Sequence, residues 1–426
     1  MMRLRERLIQ GTALNFIAVA FNQGSTLITN IIVARILMKQ SFGEYAMVHI
    51  TLLTMATVAQ LATGFTASKY VAEYRSRFPE RAGRIMGLCS GISVLTASVG
   101  TILLVAMAPW LSAAVLKAPH LGVALVVGSG FLFFSTINGY QIGALSGLEA
   151  YGGLAKSGVL SGIIAVSTVS LGAWMEELNG ALIGLSMSAF VRCIIHYRWL
   201  RLESRAQGIK PCYSGLSQEK SLITNFALPA AIAGYYTMPM IWLANTILVR
   251  QPGGYGEMAL YAASSSVRIL ALFIPQVINT VSLSILNNIK GSGDLKRYKR
   301  VYMANVLIIF LVTLIVAVVI GLFGDAILNV FGRDFRTGKT VLQVLMISAI
   351  FEGSSIALYQ HLQVQERIWT TLFLISIPRE TLFIVMAFFL VPSQGAVGLS
   401  VAYSLGWLLA LMIIGLLIYH DEIIKN

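Results

Sequence analysis

The sequence predicts an all-α, polytopic membrane protein of about twelve transmembrane helices, in two six-helix bundles related by a parallel pseudo-two-fold. Its 426 residues are 57% hydrophobic and only 12% charged, with mean hydropathy +0.77, a composition that needs lipid rather than water as its main solvent. The apolar residues form runs long enough to cross a hydrocarbon core, which takes about 20 helical residues for roughly 30 Å. The basic residues gather in alternate gaps between those runs, the charge pattern of cytoplasmic loops.

Arg3, Arg5 and Arg7 precede the first run in the manner of a signal peptide. That run continues for about 25 residues, so 12–37 is expected as a retained first span. Span two, 44–68, opens at Gly43-Glu44 and leads into a loop with Lys69, Arg75, Arg77, Arg81 and Arg84. Spans three and four are 85–110 and 121–147. Spans five and six, 157–176 and 180–200, are parted only around Glu176, Glu177, Leu178 and Asn179. The longest connection then runs from Arg201 to Ser221 and contains Gly208, Pro211 and Gly215, the composition of an interdomain linker. The expected organisation is a first bundle over 1–205, a cytoplasmic linker over 206–221 and a second bundle over 222–426. Spans seven to twelve fall at 222–249, 258–286, 302–324, 338–362, 369–391 and 395–420. Pro229, Pro239, Pro275 and Pro378 lie inside them and predict kinks. The halves echo each other: Asn15-Phe16 answers Asn225-Phe226, and Gly43-Glu44 answers Gly256-Glu257. Six spans per half start both halves on the same side, which makes the repeat parallel.

With the N-terminus inside, 21 of the 31 basic residues fall in cytoplasmic loops and six outside, so both termini are expected in the cytoplasm. The net charge of +13 is thereby explained by anionic headgroups and topology, and nucleic acid is not an expected partner. The three cysteines, Cys89, Cys193 and Cys212, lack the paired spacing of a disulfide framework or zinc site. The five histidines form no metal-ligand pattern, and no Walker A sequence is present. No catalytic residue, metal or cofactor is expected, and movement of a solute or lipid across the bilayer becomes the default.

Four basic residues remain within spans: Arg35, Arg192, Arg268 and Arg379. Arg268 and Arg379 lie about ten residues from a span end, near mid-bilayer, where each arginine costs roughly 2.5–3.5 kcal/mol to insert. They are candidates to bind a phosphate or pyrophosphate, because guanidinium offers planar bidentate donors that stay charged. The competing reading is a buried ion pair with Glu352 or with Glu380. Those two carboxylates are accordingly expected as counter-ions or as proton-coupling groups. Arg35 is close enough to a span end to snorkel, whereas Arg192 stands between snorkelling and binding. Asn15, Asn22, Thr26 and Asn30 recur at seven, four and four, one helical face that either lines a cavity or bonds to a neighbouring helix.

Ile32-Val33-Ala34-Arg35-Ile36-Leu37, Phe42-Gly43-Glu44-Tyr45-Ala46 and Thr66-Ala67-Ser68-Lys69-Tyr70-Val71-Ala72-Glu73-Tyr74-Arg75 resemble the opening of the oligosaccharide flippases of the polysaccharide-transport family. That family belongs to the multidrug/oligosaccharidyl-lipid/polysaccharide exporter superfamily. The sequence match is strong over about residues 12–90, while the twelve-span layout covers the whole chain. The resemblance implies a V-shaped pair of six-helix bundles that flips a polyprenyl-pyrophosphate-linked oligosaccharide to the outer leaflet of the cytoplasmic (inner) membrane by alternating access. It implies no enzymatic activity and no cofactor. Its partners would be the lipid-linked glycan, membrane lipids and the polysaccharide polymerase machinery. On this view Arg268 and Arg379 attract the pyrophosphate, with Arg192, Asn22 and Asn30 as further substrate contacts. The alternative is a cation-coupled multidrug or small-molecule antiporter. Related multidrug exporters often place an acidic residue in the first span, and none stands here.

Overall fold

The computed structural model describes residues 4–215, 219, 236–292, 294–365 and 368–425. The first part of expected span seven, with Pro229, lies outside the described residues, as do the side chain of Asn15 and the linker beyond Gly215 apart from Glu219. The described residues form helices, turns and short irregular stretches, without strands. In chain order the helices are α1 Leu4–Ala59, α2 Thr63–Tyr74, α3 Pro79–Trp110, α4 Leu121–Gly147, α5 Tyr151–Ala206, α6 Thr237–Val249, α7 Gly254–Ala271, α8 Phe273–Ser292, α9 Leu295–Leu322, α10 Gly324–Asn329, α11 Lys339–Val364 and α12 Ile377–Lys425.

Among the described residues, eight helical stretches are long and apolar enough to cross a membrane, and three of them contain a break. α1 breaks at Met38, α5 at Glu176 and Glu177, and α12 at Gly395, each through non-helical backbone. Each broken stretch supplies two spans, and α6 is a further, shorter apolar helix, which makes twelve apolar helical segments among the described residues. Polar sequence explains the breaks. In α5 consecutive glutamates sit where the chain must turn, with Glu177 at φ 47°. In α12 Gly395 takes φ 55°, and the Glu257 carboxylate accepts the Ala396 N–H at 2.9 Å, capping the second arm.

The two arms of α5 return against each other along small residues. A Cβ on Gly180 would stand 2.0 Å from the Gly172 carbonyl oxygen, and Thr168 Oγ1 donates to the Gly184 carbonyl at 3.0 Å. Gly180→Ala is therefore expected to destabilise the protein by about 1–3 kcal/mol through overpacking. Gly91→Ala, whose Cβ would meet nothing within 4 Å, is expected to cause no loss. Thermal melting of the detergent-solubilised chain measures both; equal melting temperatures would contradict the close-packed elbow.

Pro275 and Pro378 act as the sequence reading expects. α7 ends at Ala271, four residues before Pro275, whose ring would otherwise clash with the Ala271 carbonyl. Ahead of Pro378 the helix widens into a π-helical turn, Thr371–Ser376, and α12 starts with the proline in its first turn. One break carries no such signal: span two stops at Ala59, and Leu61 and Ala62 adopt left-handed backbone before α2.

The chain divides into two compact units, residues 1–37 with 44–242, and residues 243–426 with 38–43. In the first, α2, α3, α4 and α5 bury Ala67, Val71, Ile85, Met86, Tyr140, Leu145 and Leu200 together with Ile209 from the linker. The linker's described part is thus a strap docked on α3: the Cys212 N–H donates to the Gly83 carbonyl at 3.0 Å. Glu219 is buried between Arg81 and Arg84, at 3.1 and 3.6 Å. In the second unit, Phe42 packs edge-on against Phe335, and Leu286, Tyr298, Tyr302 and Val364 form a core near the ends of α8, α9 and α11.

Candidate functional site

Four of the residues singled out by sequence meet in the second unit. Arg268 leaves the last turn of α7 and donates through Nη1 to Glu352 Oε2, from the middle of α11. Tyr403 of α12 donates its hydroxyl to the same oxygen at 3.2 Å, and its ring lies beneath the Arg268 guanidinium with 4.6 Å from Cζ to the centroid. One turn along α12, Trp407 stands edge-on to Tyr403 at 6.4 Å and carries the Arg379 guanidinium over its ring at 4.2 Å. Arg379 Nη2 also donates to Glu380. Phe383 closes the group, 5.5 Å from Tyr403 at 84°.

The result is a continuous layer of two guanidiniums, two carboxylates and two aromatic plates, built where α7 ends and α12 begins. Each contact has a physical reason. Guanidinium over an aromatic face gains about 0.5–2 kcal/mol, and each buried carboxylate balances a cation that lipid would not solvate. The layer carries no net charge in its ionised form. Arg268 Nε is nevertheless enclosed without a hydrogen-bond partner, so this guanidinium keeps one unused donor.

Arg192 stands in the first unit, in the second arm of α5, and its setting is different. It follows the Glu177 break by 15 residues and precedes the helix end at Ala206 by 14, which places it roughly 20 Å from either end. Among the described residues its guanidinium meets no carboxylate and no hydrogen-bond acceptor, and its Nε is fully enclosed. His196, one turn on, is already satisfied: its ring nitrogens meet Asn138 Oδ1 at 3.0 Å and Ser157 Oγ at 3.1 Å. His49 sits between the rings of Tyr45 and Phe131, at 5.8 and 5.3 Å. Both histidines lie within electrostatic reach of Arg192, yet neither offers it a negative charge.

Asn22 and Asn30 also belong to the first unit. α1 buries the face of Ser25, Thr29, Val33 and Leu37, while Asn22 and Thr26 are exposed and Asn30 is half-buried. Arg192 is bonded to neither asparagine. Tyr403, Trp407 and the Asn138–His196–Ser157 network were not singled out from sequence. The i, i+4 pair of large aromatics in span twelve was the available signal for the first two.

With the geometry in view, the comparisons decide the family. The model of the polysaccharide biosynthesis protein family matches residues 8–283, well over half of the chain. The chain belongs to this family. Its curated relatives include a putative O-antigen transporter of Shigella flexneri, 21% identical over 380 residues, 87% of this chain and 88% of that protein. Among solved structures, the inward closed conformation of the lipid II flippase MurJ matches with a TM-score of 0.78 at 13% identity, covering 96% of this chain and 87% of that one. A eukaryotic MATE transporter matches with 0.71 at 16%, covering 97% and 96%. A MOP-superfamily transporter from Pyrococcus furiosus matches with 0.70 at 16%, covering 96% and 94%. These likenesses establish the fold, that of polytopic all-α transporters.

Proposed function

We propose that the protein moves a polyprenyl-pyrophosphate-linked oligosaccharide from the cytoplasmic to the outer leaflet of the inner membrane by alternating access, for surface polysaccharide assembly. The observation that carries this reading is Arg192, a guanidinium at mid-helix depth with no described counter-ion. A group of that cost is retained where an anion visits it. Pyrophosphate supplies the missing charge and accepts planar, bidentate hydrogen bonds. The family and the O-antigen transporter relative support a glycan as cargo.

In this reading Asn22 and Asn30 offer amide groups to sugar hydroxyls, and the prenyl tail stays in membrane lipid. Arg268 and Arg379 are held by Glu352 and Glu380 until the anion competes for them. Both termini face the cytoplasm, and the polysaccharide polymerase machinery takes up the product.

Deleting the gene in its host is the test. Surface polysaccharide is expected to disappear while lipid-linked precursor accumulates, with both reversed by the wild-type gene. Intact surface polysaccharide together with altered drug resistance would overturn the proposal in favour of a cation-coupled antiporter.

A further inference from the structure

A groove of about 620 Å³ lies in the first unit, walled by α3, α4 and the second arm of α5 and bordered by the strap, and Arg192 is not part of its lining. Along α5 its wall changes character in one direction. Phe190, Ile194, Tyr197, Arg201 and Arg205 follow one another at spacings of four, three, four and four, so they share one helical face. That face passes from apolar, through an amphipathic ring, to cationic. Lys210 of the strap adds a third cation at the same end.

These three cations differ from their neighbours. Arg75 is paired with Glu149 at 2.5 Å, and Arg81 and Arg84 are held by Glu219. Arg201, Arg205 and Lys210 are exposed and have no carboxylate partner among the described residues. The mouth is also built rather than incidental. The strap lies so close to α3 that a Cβ on Gly83 or Gly87 would stand 2.1 Å from the carbonyl oxygen of Lys210 or Cys212. Deeper in the groove Gln141 is buried with its amide oxygen unpartnered, although its nitrogen donates to the Cys193 carbonyl at 3.1 Å.

We infer that this groove is a binding site for an anionic phospholipid, its acyl chain along Phe190 and Ile194 and its phosphate among Arg201, Arg205 and Lys210. Apolar walls select a chain, and uncompensated cations at the headgroup level select a negative charge. The inference does not depend on the transport reading, and the site shares no residue with the candidate substrate contacts.

Native mass spectrometry of the delipidated, full-length protein, titrated with dioleoyl phosphatidylglycerol or dioleoyl phosphatidylcholine, tests it. The wild type is expected to retain one phosphatidylglycerol with a preference on the order of ten-fold or more over phosphatidylcholine. Arg201→Gln/Arg205→Gln/Lys210→Gln should erase the preference. Val94→Trp, which fills the apolar part and leaves every charge in place, should erase retention itself. Gly87→Ala, which displaces the strap, should weaken retention without changing charge. Lys296→Gln/Lys299→Gln in the second unit should keep the wild-type preference. Equal retention of both lipids by the wild type, or an unchanged preference in the triple variant and in Val94→Trp, would overturn the site. Stronger retention of undecaprenyl phosphate, competing with phosphatidylglycerol and lost in the same variants, would assign the groove to a polyprenyl carrier and overturn the phospholipid assignment.

Discussion

Arg192→Met is expected to insert normally, melt at a higher temperature than the wild type and export no surface polysaccharide. The stability gain follows from the absence of a described counter-ion: the variant removes a charge worth roughly 2.5–3.5 kcal/mol of insertion penalty and breaks no pairing. The functional loss follows from the same fact. At an effective dielectric of about 20, a phosphate 4 Å from the guanidinium gains about 4 kcal/mol, so its removal should lower export by roughly a hundred-fold or more. Arg192→Lys should retain part of the activity, because a lysine keeps the charge and loses the bidentate fork. Complementation of the deletion strain and thermal melting of the purified variant read the two effects separately. Normal export by Arg192→Met refutes a role in cargo binding, whereas a lower melting temperature means that Arg192 is structural.

The second large effect concerns the charged layer of the other unit. Glu352→Ala leaves Arg268 buried beside Tyr403 with its ionic partner gone and is expected to cost about 3–5 kcal/mol. Replacing both groups, as Arg268→Met/Glu352→Met, should restore stability to near that of the wild type, since no unpaired charge remains. Chemical denaturation of the wild type, Arg268→Met, Glu352→Met and the double variant measures the coupling. A double variant as unstable as Glu352→Ala would refute the ion-pair account. Export by the stable double variant then separates two roles. Loss of export assigns the Arg268–Glu352 pair to the transport cycle, and retained export assigns it to packing alone.

Hydropathy and charge made the span layout legible because lipid imposes one length and one polarity on every crossing. The polar break at Glu176 and Glu177 and the prolines at 275 and 378 act where simple local rules put them. Leu61 and Ala62 show the opposite case. No glycine or proline marks that break, and the left-handed backbone there serves tertiary contact: a Cβ on Gly64 of α2 would stand 2.6 Å from the Gly139 carbonyl oxygen of α4. The linker's docking was likewise hidden, because Ile209 is one apolar residue amid polar ones and its burial depends on where α3 lies. For the candidate site, mid-span charge identified Arg268, Arg379, Glu352 and Glu380. Their assembly around Tyr403 and Trp407 depends on how far each helix is rotated, which no periodicity in a uniformly apolar helix reports.

The layer around Arg268 also bears on biogenesis. Its partners arrive from the ribosome late: Glu352 is 84 residues downstream, and Tyr403 follows 51 residues after that. When α7 first leaves the translocon, its arginine has neither acidic companion nor ring to rest on. The charged layer of the second unit is therefore completed only when the last hairpin is threaded, so ribosome stalling or truncation before residue 403 should leave Arg268 without Tyr403, an intermediate that quality-control proteases can recognise.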